Sequence, residues 1–338
     1  MTMVSYAQNR EDVLLARCFP GPAGFYVDIG AADPVAHSVT KWFSEQGWTG
    51  INVEPSRDFF RKIEADRTRD INLNVGVSDV RGQLTFYEIV QFSGCSTFVP
   101  EVAAEYRRGG RTVTEWAIEM QTLAEIFAAH APTDRPVDFL KIDVEGLEPA
   151  VLAGMDFRRW RPKVLVVEAT RPGRREVSHE LWEHLILPFE YHFAFFDGLN
   201  RYYVRGESNS LLAHFDRPAC PFDDYVLYDV HYWQHEAVVY HERADQREVE
   251  LQAKETELLK RCRDFDDIYF RWTQSRVESE SIREVLGRTQ DDLAAVRNDL
   301  GRTRHDLARH KKALTAARTI LAETRTHVDD IRTAAIVR

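Results

Sequence analysis

Cysteine is scarce and scattered. Cys18, Cys95, Cys220 and Cys262 are the only four in 338 residues, and no two form a CxxC pair. Neither a zinc-site spacing nor a disulfide framework is present. No uninterrupted apolar run approaches the roughly 18 residues of a membrane-crossing helix, and the opening MTMVSYAQNRED lacks an apolar core of signal-peptide length. These absences predict a cytoplasmic location, with membrane contact no closer than peripheral. A basic excess is missing too. The formal net charge is −10, and residues 236–338 balance 20 Lys+Arg against 20 Asp+Glu, so the first 235 residues carry the whole deficit. That sign excludes sequence-independent nucleic-acid binding, which needs a basic surface to release counterions.

Proline disappears partway along. All 13 lie at or before Pro221, and beyond Tyr240 only Gly287 and Gly301 interrupt a stretch rich in Glu, Arg, Ala, Leu and Asp. That is long-helix composition. Leu251, Leu258, Phe265, Trp272, Leu286, Leu293, Leu300, Leu307, Leu314, Leu321 and Val328 follow a seven-residue spacing that only Ser279 breaks. The second seam mixes Ile268, Ile282, Val296, Ala317 and Ile331 with Lys254, Arg261, Ser275, Thr289, Thr303, His310 and Thr324. A sustained heptad predicts a left-handed coiled coil. At 1.5 Å per residue the rod from Leu251 to Val328 would be about 115 Å long. A lone exposed helix cannot bury such a stripe, so self-association is expected. The histidines His231, His235 and His241 hardly share one helix face, and they belong to the lead-in to this rod rather than to a metal site. The expected organisation is a globular domain over 1–230, a lead-in over 231–250 and a coiled coil over 251–335.

The globular part alternates strand and helix signals, which predicts an α/β fold with a largely parallel sheet. Strands are expected at Phe25–Gly30, Ile51–Glu54, Ile71–Val77, Val137–Asp143 and Lys163–Ala169. Helices are expected at His37–Gln46, Arg57–Ala65, Leu123–His130 and Leu147–Ala153, with hairpin character around Gln83–Ile89 and an irregular part through Gly110. YHFAFF and RYYVR read as an antiparallel hairpin turning at Asp197-Gly198.

In a doubly wound sheet ligands bind beyond the carboxyl ends of the strands. The first strand ends Asp28-Ile29-Gly30-Ala31-Ala32-Asp33, where Gly30 permits a tight turn against a ligand. The second ends at Glu54, an acid able to take both hydroxyls of a ribose. The third ends Val77-Ser78-Asp79, where an adenine edge would lie, the fourth Asp143-Val144-Glu145-Gly146, and the fifth at Glu168. A GxGxxG dinucleotide loop is lacking. Two of its three glycines are absent, and Asp33 would repel a pyrophosphate. Acidic strand ends tolerate the sulfonium and ammonium of S-adenosylmethionine better than the phosphates of NAD, which disfavours a nicotinamide oxidoreductase.

SYAQNREDVLL, FYVDIGAADP, INVEPS, NVGVSD, DFLKIDVEGLEPAVLAG and FDGLNRYYV together resemble the FkbM methyltransferases over residues 5 to about 205. The resemblance implies a class I Rossmann-like methyltransferase fold, a seven-stranded and mostly parallel sheet with a final antiparallel strand. It also implies S-adenosylmethionine-dependent O-methylation of a saccharide or natural-product hydroxyl. Asp28, Gly30 and Ala31 would lie near the methionine moiety, Glu54 on the ribose, and Ser78 and Asp79 near the adenine. Gln8 and Asn9 would close over the cofactor, and Asp143 and Glu145 would stand at the methyl-transfer face. Ala32 and Pro34 depart from the general class I loop.

A base must reach the hydroxyl, and Asp143 or Glu145 is the choice, with His37 second. Asp143, Glu145 and Glu168 also offer the hard oxygens magnesium prefers, although metal-free chemistry is the favoured expectation. The segment Ser93–Phe98 and the stretch to Arg111, with Arg107, Arg108 and Arg111, is the expected acceptor-recognition region. A coiled-coil tail on such an enzyme suggests action on a growing surface polysaccharide. The rival reading is an inactive methyltransferase-like domain that presents the coiled coil as a scaffold. Residues 206–240 read as either a domain cap or a linker.

Overall fold

The computed structural model describes residues 2–90, 93–274 and 279–336, and the chain divides into two compact units, Met1–Tyr228 and Asp229–Arg338. In chain order the first unit contains β1 (Met3–Ser5), α1 (Glu11–Cys18), β2 (Phe25–Ile29), α2 (Lys41–Glu45), β3 (Thr49–Val53), α3 (Arg57–Asp66), β4 (Ile71–Leu73), β5 (Gly76–Ser78), β6 (Gly82–Ile89) and α4 (Pro100–Arg108). Then come β7 (Val113–Thr122), α5 (Leu123–His130), β8 (Phe139–Ile142), α6 (Glu148–Ala153), β9 (Val164–Glu168), β10 (Tyr191–Phe196), β11 (Asn200–Arg205) and β12 (Tyr225–Leu227).

The main sheet has seven strands in the order β10-β11-β9-β8-β2-β3-β4. β4, β3, β2, β8 and β9 run parallel, and β11 is antiparallel to both β9 and β10. From β2 the chain winds outward to β3 and β4, then returns to lay β8 and β9 on the other side. The strand order therefore reverses at β2, where ligands collect in such sheets.

Strand periodicity splits the apolar residues between two layers. Val27, Leu140, Leu165, Val167 and Tyr203 enter one core with Leu123, Ile126, Phe127 and Val151 of the helices. Their neighbours Tyr26, Phe139, Val164, Val166 and Tyr202 enter the other, with Leu14, Leu15, Phe43 and Trp48. Both faces are covered, which explains why β2, β8 and β9 read as apolar runs broken only by Asp28, Lys141 and the terminal Glu168.

Several elements differ from the sequence expectation for local physical reasons. Ile71–Val77 is not one strand, because the Asn74 side chain donates to the carbonyls of Glu54 (2.8 Å) and Pro55 (3.1 Å). The chain therefore leaves the main sheet, and β5 joins a separate three-stranded sheet, β5-β7-β6, over Phe86, Ile118 and Met120. The part expected to be irregular holds α4, started by Pro100 at its first turn, while the hairpin-like segment is β6. The ten-residue β7, unforeseen in sequence, pairs with β6 and runs into α5, which Thr122 and Glu125 open with a reciprocal capping box. The helix expected from His37 shrinks to α2, since His37 sits in a left-handed conformation (φ 62°).

Residues 206–227 form a cap. β12 pairs with β1 in a two-stranded parallel ribbon. Arg17 of α1 forms an ion pair with Asp223 (2.6 Å) and donates to the carbonyls of His214, Arg217 and Pro218.

The second unit continues helix α7 (Tyr228–Gln274) and adds α8 (Ser279–Ile336). A single continuous rod is therefore corrected to two helices, and α8 starts at Ser279, the one residue that breaks the heptad. Ser275 of the second seam lies outside the described residues. Glu255 pairs with Arg304 and Glu248 with Lys311, both at 3.1 Å. Moving back one heptad on α7 moves forward one on α8, so the helices run antiparallel. Leu251, Leu258, Val296 and Leu300 line a shared groove. Among the residues from 229 to 326 whose side chains are described, none is buried, and the heptad leucines up to Leu314 are half-buried. Among the described residues no helix is long and apolar enough to cross a membrane.

Candidate functional site

At the switch point the backbone is stitched tightly. The N–H groups of Gly30 and Ala31 donate to Val53 O (3.0 and 3.2 Å), and Asp143 N donates to Ile29 O (3.0 Å). Gly30 has φ 79°, and a Cβ there would collide with the Asp143 carbonyl oxygen. The tight turn expected at this glycine is demanded by the neighbouring strand end, and Gly30 also lines the cavity described next.

The next turn is held by carboxylates. Ala32, left-handed at φ 51°, donates its N–H to Glu54 Oε2 (2.8 Å), and Ser56 N donates to Glu54 Oε1 (2.7 Å). Burial pushes the Glu54 carboxyl up to about 7, against the pull of these two N–H groups and Lys141. Asp33 Oδ1 accepts from Val35 N (3.0 Å) and Ala36 N (3.1 Å), and Lys62 donates to its Oδ2 (2.8 Å). Burial opposes its charge, but Lys62 and these N–H groups hold Asp33 below the usual range. The amides that would cradle a pyrophosphate are thus occupied by the chain's own acids.

Beyond these strand ends lies a cavity of about 740 Å³. Of the residues singled out in sequence, Gln8, Gly30, Ala31, His37, Glu54, Asp143, Glu145 and Glu168 line it together. Gly94, Cys95, Ser96 and Phe98 of the expected acceptor segment also line it, tied down by Thr97 Oγ1 donating to Glu145 O (2.8 Å).

Others fall elsewhere. Asn9 does not line the cavity; its amide donates to Asp197 O (3.0 Å), fastening the opening segment to the β10–β11 turn. Ser78 and Asp79 follow the chain into the small sheet and pack at the end of α6, where a Cβ on Gly154 would collide with Ser78 O. Val75, Gly76 and Val77 form that part of the wall instead. Arg107 is engaged with Glu115 (3.0 Å) and the Tyr87 ring, and neither it nor Arg108 nor Arg111 reaches the cavity, whereas Arg174 and Arg175 do.

Asp28 is not a lining residue but part of the floor. It is 1% exposed, accepts from Thr40 Oγ1 (3.2 Å) and lies 3.3 Å from Lys141 Nζ. Burial pushes its carboxyl up and Lys141 pulls it down. Lys141, missed in sequence, is the buried cation of the site. It also donates to Gly30 O (2.7 Å) and reaches Asp143 (3.5 Å). Burial disfavours its charge, but Asp28 and Asp143 more than compensate and hold it protonated. Its signal was a lysine inside the apolar run of β8.

Glu148, also missed, is buried and accepts from Val144 N and Gly146 N, both at 3.1 Å. It fixes the loop in which Glu145 adopts φ 52°. Asp143, Glu145 and Glu168 each bring one carboxylate oxygen within 4.8 Å of the others. Burial, and then the neighbouring charge of Asp143, raise Glu145 and Glu168 well above the ordinary carboxylate range.

A family model described as "Methyltransferase FkbM domain" matches residues 28–195, the span that holds all the cavity-lining strand ends. The chain is also similar to methyltransferase sdnD of Sordaria araneosa, 31% identical over 121 residues, which is 30% of this chain and 47% of that protein. The chain thus spans about half the length of this relative. Through residues 28–195 it belongs to the FkbM methyltransferase family.

Proposed function

We propose that the first unit binds S-adenosylmethionine in this cavity and transfers its methyl group to a hydroxyl of a saccharide or glycoconjugate. The observation that carries this reading is Glu54. Each oxygen of its buried carboxylate takes one backbone N–H and keeps a lone pair for a hydroxyl donor from the cavity. That suits the two hydroxyls of a ribose, while the self-satisfied Asp33 turn suits a cofactor without a pyrophosphate. The strand order, with β11 reversed between β9 and β10, agrees with a class I methyltransferase sheet.

When bound, the cofactor supplies an electrophilic methyl group whose S–C bond breaks, the electron pair staying on sulfur, as the acceptor forms an O–C bond. The protein's part is alignment and proton removal. Phe59, Phe86 and Phe98 give the cavity apolar walls, and Gln8 reaches it from the opening segment. The acceptor's proton passes to Asp143, or to Glu145 where that carboxyl is ionised, with His37 on the same cavity as the second choice. In the second unit α7 and α8 half-bury the leucine stripe against each other, and self-association of the tail would cover what this pair leaves exposed.

The test is turnover of S-adenosylmethionine with a panel of saccharides and glycoconjugates, with products identified by mass spectrometry. The reading predicts gain of one methyl ether, and an Asp143→Asn variant that keeps cofactor affinity and loses about 10²-fold or more in rate. A chain that binds the cofactor but methylates nitrogen or carbon acceptors alone would overturn O-methylation.

A further inference from the structure

We propose that Asp143, Glu145 and Glu168 form a divalent-cation site, of the magnesium or manganese type, that holds the acceptor through two adjacent hydroxyls. The inference rests on the methyl-transfer reading for its acceptor, but the cation site stands on its own geometry.

Glu168 ends β9 and is 6% exposed, yet its Oε2 has no hydrogen-bond donor. Glu145 Oε2 is likewise buried without one. Two orphaned carboxylate oxygens in one wall are costly unless a proton or a metal cation fills the gap. The nearest cation, Lys141, is already shared between Asp28, Asp143 and the Gly30 carbonyl. Glu148 is no ligand, because its carboxylate already accepts the Val144 and Gly146 amides. Its effect is to hold the Asp143–Gly146 loop in the form that turns Glu145 toward the site.

The spacing suits an ion. One oxygen from each acid lies within 4.8 Å of the others. Around an octahedral cation with ligands at about 2.1 Å, neighbouring oxygens are about 3 Å apart and opposite ones about 4.2 Å, so a small contraction closes the set. Carboxylates select hard cations over soft ones. Three oxygens from the protein leave three positions on an octahedral ion, which accommodates a chelating pair of adjacent hydroxyls and a water. A hydroxyl so bound is more acidic, which an alkyl alcohol needs.

The full-length protein, stripped with chelator, is titrated with manganese followed by electron paramagnetic resonance, and separately with S-adenosylhomocysteine by calorimetry. One manganese per chain is expected, weakened about tenfold or more by Glu168→Gln or by Asp143→Asn. Both variants should bind S-adenosylhomocysteine as the wild type does, which also certifies their folding. A wild-type chain that binds S-adenosylhomocysteine and no manganese overturns the cation site while sparing the methyl-transfer reading. Manganese binding without S-adenosylhomocysteine binding overturns that reading and keeps the site. Manganese binding unchanged in both variants overturns the assignment of these ligands.

Discussion

Asp28 and Lys141 are register partners on adjacent parallel strands, and the Lys141 ammonium lies 3.3 Å from Asp28 Oδ1 beneath the cavity. The pair joins β2 to β8 at the point where the strand order reverses. By also holding Gly30 O and Asp143, Lys141 links the turn after β2 to the acids after β8. A buried charge left without its partner is strongly destabilising. Lys141→Met should therefore cost about 3–5 kcal/mol in urea unfolding. The Asp28→Asn/Lys141→Met double variant should recover part of that loss. A single variant as stable as wild type would show that the pair is not ionised in the folded state.

Glu54 makes cofactor affinity depend on pH. Its folded carboxyl is raised to about 7, with Lys141 and Asp28 the charged groups facing it. Ribose hydroxyls donate to the ionised form, so binding releases a proton below that value. Affinity for S-adenosylhomocysteine should rise with pH up to about 7 and then level off, changing by at most about tenfold per pH unit. Glu54→Gln should bind more weakly and lose most of this slope. Calorimetry across the range reads both effects, and an unchanged slope in the variant would move the dependence to another group.

The same burial acts on stability in the opposite sense. Glu11 and Glu54 are both raised to about 7 in the folded protein from 4.5. Between those values the folded chain holds more protons than the unfolded one, so their contribution favours folding at low pH and fades as pH rises through 7. Urea midpoints measured between pH 5 and 8 should show this component shrink in Glu11→Gln. If the variant keeps the full wild-type pH dependence, Glu11 is ionised in the native state.

Parts of this were legible in the letters. Four of the five parallel strands, β2, β3, β8 and β9, declared themselves because burial on both faces makes their residues largely apolar, and the carboxyl-end acids followed from strand position alone. The third strand was misread because nothing in Ile71–Val77 announces that Asn74 will cap the Glu54 and Pro55 carbonyls and divert the chain. That diversion is also why Ser78 and Asp79 miss the cavity. β7 did carry a signal, the buried Ile118 and Met120 alternating with the exposed Ala117 and Glu119, but only over this short stretch of its ten residues. Lys141 and Glu148 were visible as letters, but their partners are strand neighbours and loop amides that only folding brings near. The heptad was legible, yet its seam did not say that the chain doubles back at the one break in its own repeat.

The cap over residues 206–227 packs within the first unit through Arg17 and the β1–β12 ribbon. A chain ending near residue 229 should fold and retain cofactor affinity, while Arg17→Ala should lose about 3–5 kcal/mol, since Asp223 and three carbonyls would lose their donor. In sedimentation the full chain should self-associate with rising concentration and the shortened one should not. Leu258→Asp in the full chain should weaken that association without touching cofactor affinity, and equal association of the two chains would remove the tail from the account.

The most direct test of the central claim is calorimetric titration of the intact protein with S-adenosylhomocysteine beside the Glu54→Ala variant. One site per chain, weakened about tenfold or more by the substitution, is the predicted result. An intact protein that takes up no S-adenosylhomocysteine, or a variant that binds it equally well, would contradict the placement of the cofactor at the end of β3.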